Sequence, residues 1–186
     1  MFKRFVLPPL VLTLICVAVS GLLAAAYEAT YVDETGVLTD KLVAACETAA
    51  GKGEYEMLLE KVGGSNIPVT FGNADVNSVI TDKDRELCLI ELTEDGYATG
   101  GLHFVVGIDK DGKVTGIGFV SCGETPGLGS RATESEYLDK YKNMDTKEAV
   151  ESVDNVTSAT YSSKGLKKGI AKALDIYNEN KGEIFK

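Results

Sequence analysis

Hydrophobic residues are most concentrated at the start of the chain, where residues 5–26 contain no charged side chain. A helix of this length is long enough to cross a bilayer. A cleavable signal peptide is the alternative, because residues 24–26 are all alanine and small residues usually precede a cleavage site. We expect a retained transmembrane anchor over residues 1–27, followed by one domain over residues 28–186.

Charged residues on either side of this apolar run predict its orientation. Lys3 and Arg4 precede the run, whereas Glu28, Asp33 and Glu34 follow it. Positive residues favour the cytoplasmic side of a membrane-spanning segment. We therefore expect a single-pass protein of the cell membrane, with its N-terminus in the cytoplasm and its domain on the extracytoplasmic side.

Beyond the apolar run, hydrophobic residues recur at helical spacing, which predicts two short helices within residues 36–62. The hydrophobic positions are Leu38, Leu42, Val43 and Cys46 in the first helix and Met57, Leu58 and Val62 in the second. The glycines of residues 51–53 separate the two. From residue 63 to residue 84 the pattern has no firm period, and no element is predicted there.

Three apolar runs, at residues 87–90, 102–108 and 114–120, indicate strands. The sequence Asp-Lys-Asp-Gly at 109–112 is a strong turn, so the last two runs are expected to form a β-hairpin. Gly116 and Gly118 share one face of the second arm. We therefore expect another part of the chain to pack closely against that face.

Two further helices are expected in the second half of the chain. Residues 135–144 form an acidic helical stretch with Ser135 as its N-cap, and apolar residues repeat at helical spacing over residues 166–180. Strands and helices do not alternate regularly. The predicted fold class is α+β, with a mainly antiparallel sheet and flanking helices, preceded by one N-terminal transmembrane helix.

Charge excludes some classes of partner. The formal net charge is −9, and removing the two positive charges of Lys3 and Arg4 leaves −11 for the rest of the chain. A domain this acidic disfavours nucleic acid and anionic lipid as partners.

Cysteine and histidine do not occur in a metal-ligand pattern. Cys46, Cys88 and Cys122 include no C-x-x-C pair, and His103 is the single histidine. We predict no metal site and no catalytic residue. The spacing leaves open whether two of these cysteines pair or all remain reduced. We interpret Cys122 as a small buried side chain and His103 as a packing or surface residue without a catalytic partner.

The most informative segment is residues 154–163, Asp-Asn-Val-Thr-Ser-Ala-Thr-Tyr-Ser-Ser, directly before the C-terminal helix. The first turn of a helix has unpaired N–H donors and a partial positive charge, so phosphate is the anion expected to bind there. An ordinary helix cap has the same composition. Composition alone therefore leaves both interpretations open.

The order of these residues carries a resemblance. The sequence D-x-x-T-S-A-T at residues 154–160 is similar to the flavinylation motif of the FMN-binding domains in the Rnf and Na⁺-translocating quinone reductase complexes. The resemblance implies that a flavinyltransferase attaches FMN to the hydroxyl of Thr160 through a phosphoester. Thr160 would then be a tether and not a catalyst. The family usually has glycine where Ser158 stands and threonine where Ser162 stands.

A second resemblance lies at residues 124–129, because Glu-Thr-Pro-Gly-Leu-Gly matches a loop in the FMN-binding proteins of the Rnf and quinone-reductase complexes. Pro126 and Gly127 favour a tight turn, and the glycines on either side of Leu128 let the backbone approach a flat ring. We interpret this loop as one wall of a flavin pocket. The resemblance extends over about residues 90 to 180 and the N-terminal anchor.

Together the two motifs imply an electron-transfer subunit of a membrane-bound, ion-translocating ferredoxin:NAD⁺ oxidoreductase (Rnf) complex, with one covalent FMN per chain. The implied partners are the other membrane subunits of that complex and, during maturation, the flavinyltransferase. A stand-alone membrane-tethered flavin-binding or sensory module and an unmodified scaffold protein remain alternatives. The candidate cofactor-binding residues are Glu124, Thr125, Gly127, Leu128, Gly129, Thr157, Ser158, Ala159, Thr160, Ser162 and Ser163.

Overall fold

The computed structural model describes residues 2–30, 36–84 and 86–186. The chain divides into two compact units, Met1–Glu34 and Thr35–Lys186. Asp33 and Glu34 lie outside the described residues, as do the side chains of residues 2–6. The predicted orientation of the N-terminal segment and the predicted domain boundary after residue 27 therefore stay predictions.

The described part of the N-terminal unit is a long helix, α1 (Phe2–Thr30). Its segment Leu7–Thr30 is long and apolar enough to cross a membrane, and none of it is buried. A signal sequence shares these properties. The helix fits single-pass membrane anchoring, because an exposed apolar surface of this length is stable in hydrocarbon and not in water.

Five strands form the main sheet of the second unit, in the order β1-β4-β5-β6-β7, and every neighbouring pair is antiparallel. These strands are β1 (Tyr55–Met57), β4 (Val76–Asp82), β5 (Leu87–Glu94), β6 (Leu102–Asp109) and β7 (Val114–Cys122). A separate two-stranded sheet pairs β2 (Leu59–Val62) with β3 (Ser65–Pro68). The predicted β-hairpin is present as β6 and β7.

Among the described residues of this unit, four helices accompany the sheets: α2 (Asp40–Ala50), α3 (Ser135–Leu138), α4 (Lys147–Ser152) and α5 (Thr160–Ile184). Short 3₁₀ turns cover Gly129–Thr133 and Asp139–Tyr141. The predicted C-terminal helix is confirmed, and it begins at Thr160, six residues before its first predicted apolar position. The α+β class is likewise confirmed.

The second helix predicted within residues 36–62 is wrong, because this stretch contains β1 and β2. Gly51 ends α2 with a φ of +95° that glycine adopts without strain. The next segment then pairs with β4, and Met57 lies opposite Ile80. Long-range pairing of this kind outweighs local helical spacing, and the partner β4 lies in the stretch for which no element was predicted.

The helix predicted over residues 135–144 is shorter than expected. Its α-helical part ends at Leu138, and the N-cap is Glu134, which makes no side-chain capping bond. Ser135 is the first helical residue, so its assignment as the N-cap is wrong.

Helices cover both faces of the sheet. On one face, the hydrophobic side of α5, including Leu166, Ile170 and Leu174, packs with Phe104 of β6 in the larger core. On the other face, α2 packs against Leu89 and neighbouring strand residues. Burying an aliphatic or aromatic side chain of this size contributes roughly 1.5–3 kcal/mol, so this core is the main term that holds the domain together.

The two glycines on β7 do permit close packing, as predicted. An added Cβ at Gly116 would lie 2.6 Å from the carbonyl oxygen of Ala49, and one at Gly118 would overlap the carbonyl oxygen of Ala45. Both carbonyls belong to α2. The backbone of α2 therefore rests directly on β7.

Cys46, Cys88 and Cys122 are all free thiols, so no disulfide joins them. Cys46 and Cys88 are fully buried, and burial raises the pKa of each thiol to about 12. The interpretation of Cys122 as a buried side chain is wrong, because it lies exposed at the end of β7. The last two residues of β7, Ser121 and Cys122, are both exposed.

Candidate functional site

Three segments that are distant in sequence meet at one end of the main sheet. Glu94, the last residue of β5, pairs with Leu102, and Leu102 pairs in turn with Cys122 at the end of β7. The loop between β5 and β6 therefore lies beside the loop that follows β7. The N–H of Gly123 donates to the carbonyl oxygen of Gly101 over 2.7 Å and joins the two loops.

The start of α5 is the third segment. Gly165, in the second turn of α5, lies against the carbonyl group of Asp95, and an added Cβ would overlap that carbonyl. Close approach at this glycine brings the hydroxyl-rich segment before α5 to the same end of the sheet.

Glu124 joins all three segments. Its Oε2 accepts a hydrogen bond from the N–H of Tyr97 (3.1 Å), and its Oε1 accepts one from the N–H of Ala98 (3.0 Å). The hydroxyl of Ser162 donates to the same Oε2. Glu124 is 5% exposed. A buried carboxylate is thus the central polar group of this end of the domain.

Glycines make room for this carboxylate. An added Cβ would lie 2.6 Å from Oε1 of Glu124 at Gly96, 2.7 Å from the same atom at Gly101, and 2.9 Å from the Glu124 Cβ at Gly129. Gly129 was expected to open the wall of a pocket towards a flat ring. The structure shows that its missing side chain also accommodates Glu124.

The ionisation of Glu124 follows from these contacts. Burial raises the pKa of its carboxyl, but the hydrogen bonds from Ser162, Ala98 and Tyr97 together outweigh burial, so the pKa lies below its ordinary value of 4.5. Glu124 is therefore negatively charged at neutral pH.

The start of α5 is not capped by a side chain. Ala159 is the N-cap residue and makes no side-chain capping bond, and Thr160 is the first helical residue and is exposed. The hydroxyl of Ser163 is directed to the preceding loop, where it accepts from the N–H of Val156 over 3.0 Å. The N-terminus of a 25-residue helix thus retains donors and a partial positive charge beside an accessible hydroxyl.

Ser158 adopts a φ of +68°, in the left-handed region that glycine occupies without strain. This position is the one at which the related flavinylation motifs usually carry glycine. The backbone conformation supplies the physical reason for that glycine, and the loop here keeps the conformation with a serine.

A cavity of about 300 Å³ lies between these segments. It is lined by Tyr97, Glu124, Thr125, Leu128, Gly129 and residues 158–162. Eight of the eleven predicted site residues thus lie together at its wall. Three do not line it: Gly127, which occupies the turn with a φ of +74°, Thr157, and Ser163, which is fully buried.

Two tyrosines at the cavity were not among the predicted site residues. Tyr97 and Tyr161 are 77% and 70% exposed, and their ring centroids lie 6.4 Å apart in an edge-to-face arrangement. Leu128 is 52% exposed at the same cavity. Tyr161 directly follows Thr160, so its position beside the motif could have indicated that it belongs to the site. Tyr97 is distant in sequence from both motifs, and only the tertiary structure brings it to the cavity.

His103 lies outside the residues that line the cavity, and it is partly exposed, as expected. However, it does have a carboxylate partner, because its Nε2 lies 2.7 Å from Oε1 of Glu91. The same nitrogen lies 3.1 Å from Nδ2 of Asn77. Glu91 lies on the adjacent strand β5 and Asn77 on β4, so sequence spacing did not reveal them.

Comparison with known proteins shows which family this region resembles. The FMN-binding domain family matches residues 96–175, which include every predicted site residue. The G subunit of the proton-translocating ferredoxin:NAD⁺ oxidoreductase complex of Clostridium ljungdahlii is 31% identical over 88 residues, covering 43% of this chain and 47% of the relative. The G subunit of the Na⁺-translocating ferredoxin:NAD⁺ oxidoreductase complex of Acetobacterium woodii is 30% identical over 92 residues, covering 44% of each.

A third relative is the G subunit of the ion-translocating oxidoreductase complex of Aliivibrio fischeri, which is 27% identical over 106 residues and half of each chain. The chain thus spans about half the length of the curated relatives it matches. The matched region includes the cavity, the loop that carries Glu124 and most of α5. The part of the chain that carries the cavity is therefore similar to the FMN-binding domain family, and about half of the chain is similar to the G subunits of ion-translocating oxidoreductase complexes.

Proposed function

We propose that FMN is attached to Thr160 through a phosphoester between its phosphate and the threonine hydroxyl. The observation that carries this proposal is the position of Thr160: it is exposed, lines the cavity and is the first residue of a helix without a side-chain cap. A phosphoryl group at this position would meet unpaired N–H donors and the positive end of the helix dipole.

The residues around the cavity fit the two ends of FMN. The hydroxyls of Ser158 and Thr160 lie at the helix N-terminus, where a phosphate is favoured. Tyr97, Leu128 and Tyr161 present apolar surface, which fits a flat aromatic ring. When bound, FMN supplies the chemistry of accepting and passing electrons.

The protein's own residues would hold and orient the cofactor. Thr160 would provide the covalent tether, the two tyrosines and Leu128 would contact the ring, and Glu124 would keep the loops around the cavity together. Tight pockets for small ligands typically enclose about 300–1,000 Å³. At about 300 Å³ this cavity lies at the lower limit, so part of the cofactor would remain exposed to an electron-transfer partner.

We further propose that the chain is an electron-transfer subunit of a membrane-bound, ion-translocating ferredoxin:NAD⁺ oxidoreductase complex. Its similarity to the G subunits of two such complexes supports this role. Other membrane subunits would be its partners, and a flavinyltransferase would load the cofactor. The N-terminus would lie in the cytoplasm and the flavin domain on the extracytoplasmic side, in accord with the charges that flank the apolar helix.

Intact-mass measurement tests the covalent attachment. The chain co-expressed with a flavinyltransferase should gain the mass of one FMN less one water, and Thr160→Ala should abolish the gain. Thr99→Ala is the matched control, because Thr99 is exposed on a loop near the cavity but belongs to neither motif and does not line the cavity. An unmodified wild-type chain would contradict the proposal, as would a mass gain that persists in Thr160→Ala.

Purification from native membranes tests the place in a complex. The tagged chain is expected to co-purify in constant stoichiometry with integral membrane subunits and with ferredoxin:NAD⁺ oxidoreductase activity. Recovery as a flavinylated chain without such subunits would instead favour the stand-alone flavin module.

A further inference from the structure

The charge of Glu124 has no counter-ion in the described part of the chain. Its three hydrogen bonds come from two backbone N–H groups and the hydroxyl of Ser162, and none of the ion pairs formed by the described residues includes Glu124. Hydrogen bonds keep a carboxylate ionised but do not remove its net charge. The field of this charge therefore extends into the cavity that Glu124 lines.

A glutamine in place of Glu124 would fill the same space but could not accept the same hydrogen bonds. Glutamine has nearly the same shape as glutamate, but its NH₂ group cannot accept a hydrogen bond from a backbone N–H. The arrangement at Tyr97, Ala98 and Ser162 contains donors for both oxygens of Glu124, which selects a carboxylate. The loop ends are thus held by a group that brings one negative charge with it.

This charge acts on any redox equilibrium in the cavity. Two-electron reduction of a flavin ring with uptake of one proton adds one negative charge to the ring, whereas uptake of two protons adds none. An uncompensated carboxylate in the same cavity disfavours the form with the added charge, because like charges repel more strongly where water is partly excluded.

We propose that Glu124 is a positioning residue that closes the cavity and, through its uncompensated negative charge, lowers the reduction potential of FMN bound there. This inference rests on the proposed function, since it concerns the cofactor of the same site. Glu124 does not need to touch the ring for this effect. It would make the bound cofactor a stronger electron donor than the same cofactor beside a neutral side chain.

Potential titration of the loaded full-length chain, in nonionic detergent above pH 7, tests the charge effect. Glu124→Gln is expected to raise the ratio of reduced to oxidised FMN at a fixed potential by about tenfold, which for two electrons is about 30 mV. Glu134→Gln is the control, because Glu134 is exposed and the same charge is lost. Equal potentials in the two variants would overturn the proposal.

Ser162→Ala separates charge from architecture. It removes one hydrogen bond to Glu124 and keeps the carboxylate, so the potential should rise less than in Glu124→Gln while resistance to urea falls. If Ser162→Ala raises the potential as much as Glu124→Gln does, the effect comes from a loosened cavity, and the charge proposal fails.

A second pair of variants covers the case in which Glu124→Gln does not fold. Thr125 is exposed and lines the cavity. Thr125→Lys adds a positive charge beside the carboxylate, so its potential should be higher than that of Thr125→Gln, which introduces a long side chain without the charge. The opposite result would refute a role for cavity charge.

The closing role is measured on the chain without flavin, so it does not depend on covalent loading. Glu124→Gln and Ser162→Ala should each lower the urea midpoint, and the double variant should lose less than the sum, because both remove the same contact. Additive losses would overturn the closing role. If the chain gains no FMN mass, the proposed function is refuted but the closing role is not. The urea comparison would still decide the closing role.

Discussion

Replacing Gly118 by alanine tests how α2 is held on the sheet. An alanine Cβ at this position would overlap the carbonyl oxygen of Ala45 and would lie 2.7 Å from its carbonyl carbon and 2.9 Å from its Cα. All three atoms belong to the backbone of α2. They cannot rotate away as a side chain would, so the whole helix must shift from β7 to admit one methyl group.

The cost of that shift follows from the packing of α2. Overpacking a well-packed core typically costs about 1–3 kcal/mol, and alanine recovers roughly 0.5–1 kcal/mol relative to glycine through its smaller loss of backbone freedom. Displacement of α2 also loosens the buried contacts of Leu42 and Cys46. We therefore place the net loss of unfolding free energy near the upper end, at about 2–3 kcal/mol.

Urea unfolding of the full-length chain in nonionic detergent, followed by circular dichroism, measures this loss. Gly182→Ala is the matched control, because Gly182 lies in α5 and an added Cβ there meets no atom within 4 Å. That variant should gain up to about 1 kcal/mol through better helix propensity. A Gly118→Ala chain as stable as wild type would refute the close contact between α2 and β7.

Four further predictions follow from single residues. Ser158→Gly should raise the unfolding free energy, measured in urea, by about 0.5–1 kcal/mol. Glycine relieves the strain of the positive φ, and this gain exceeds the cost of a more flexible unfolded chain. An unchanged or lower value would show that the serine is not strained. Glu94→Gln should cost about 1–3 kcal/mol in the same assay, since Glu94 is buried and pairs with Lys168 and Lys172, while Lys172 keeps Asp75 as a partner. A loss below about 0.5 kcal/mol would show that these pairs are not needed. Because folding lowers the pKa of Glu124, its carboxylate should stabilise the fold fully above about pH 4.5 and less as the pH falls through the folded-state pKa. The unfolding free energies of wild type and Glu124→Gln, measured in urea, should therefore converge in acid. A difference that widens in acid would contradict this sign. Labelling of exposed Cys122 tests on which side of the membrane the domain lies: a membrane-impermeant maleimide should label the wild-type chain in intact cells and should not label Cys122→Ser. Labelling that requires lysis would place the domain in the cytoplasm.

The strands that sequence reasoning located share a local cause. Residues 87–90, 102–108 and 114–120 are rich in β-branched and other apolar side chains, and a strong turn joins the last two, so their conformation is encoded nearby. β1 and β4 lack such a pattern. Met57 is a strand residue because Ile80 lies opposite it, and neither position indicates this without the other.

The candidate site shows the same division. Thr160 was assigned from the order of its neighbours, and the structure places it at the cavity together with the second motif. The function of Glu124 within the fold was not evident from its motif, because the N–H groups of Tyr97 and Ala98 that it binds lie 27 and 26 residues away. The negative charge of this carboxylate therefore depends on hydrogen bonds from residues that only the fold brings close to it.

By itself, the sequence determined the apolar N-terminal helix, the β-hairpin and the amphipathic C-terminal helix, and it predicted the segment in which we propose that a phosphoryl group is held. Each of these depends on residues within a few positions of one another. Tertiary structure alone decided that two distant motifs share one cavity, that Tyr97 joins them, and that a carboxylate with no counter-ion among the described residues connects the loops around that cavity. Those features arise where the antiparallel register aligns the ends of β5, β6 and β7, and a register between strands depends on contacts that no local pattern contains.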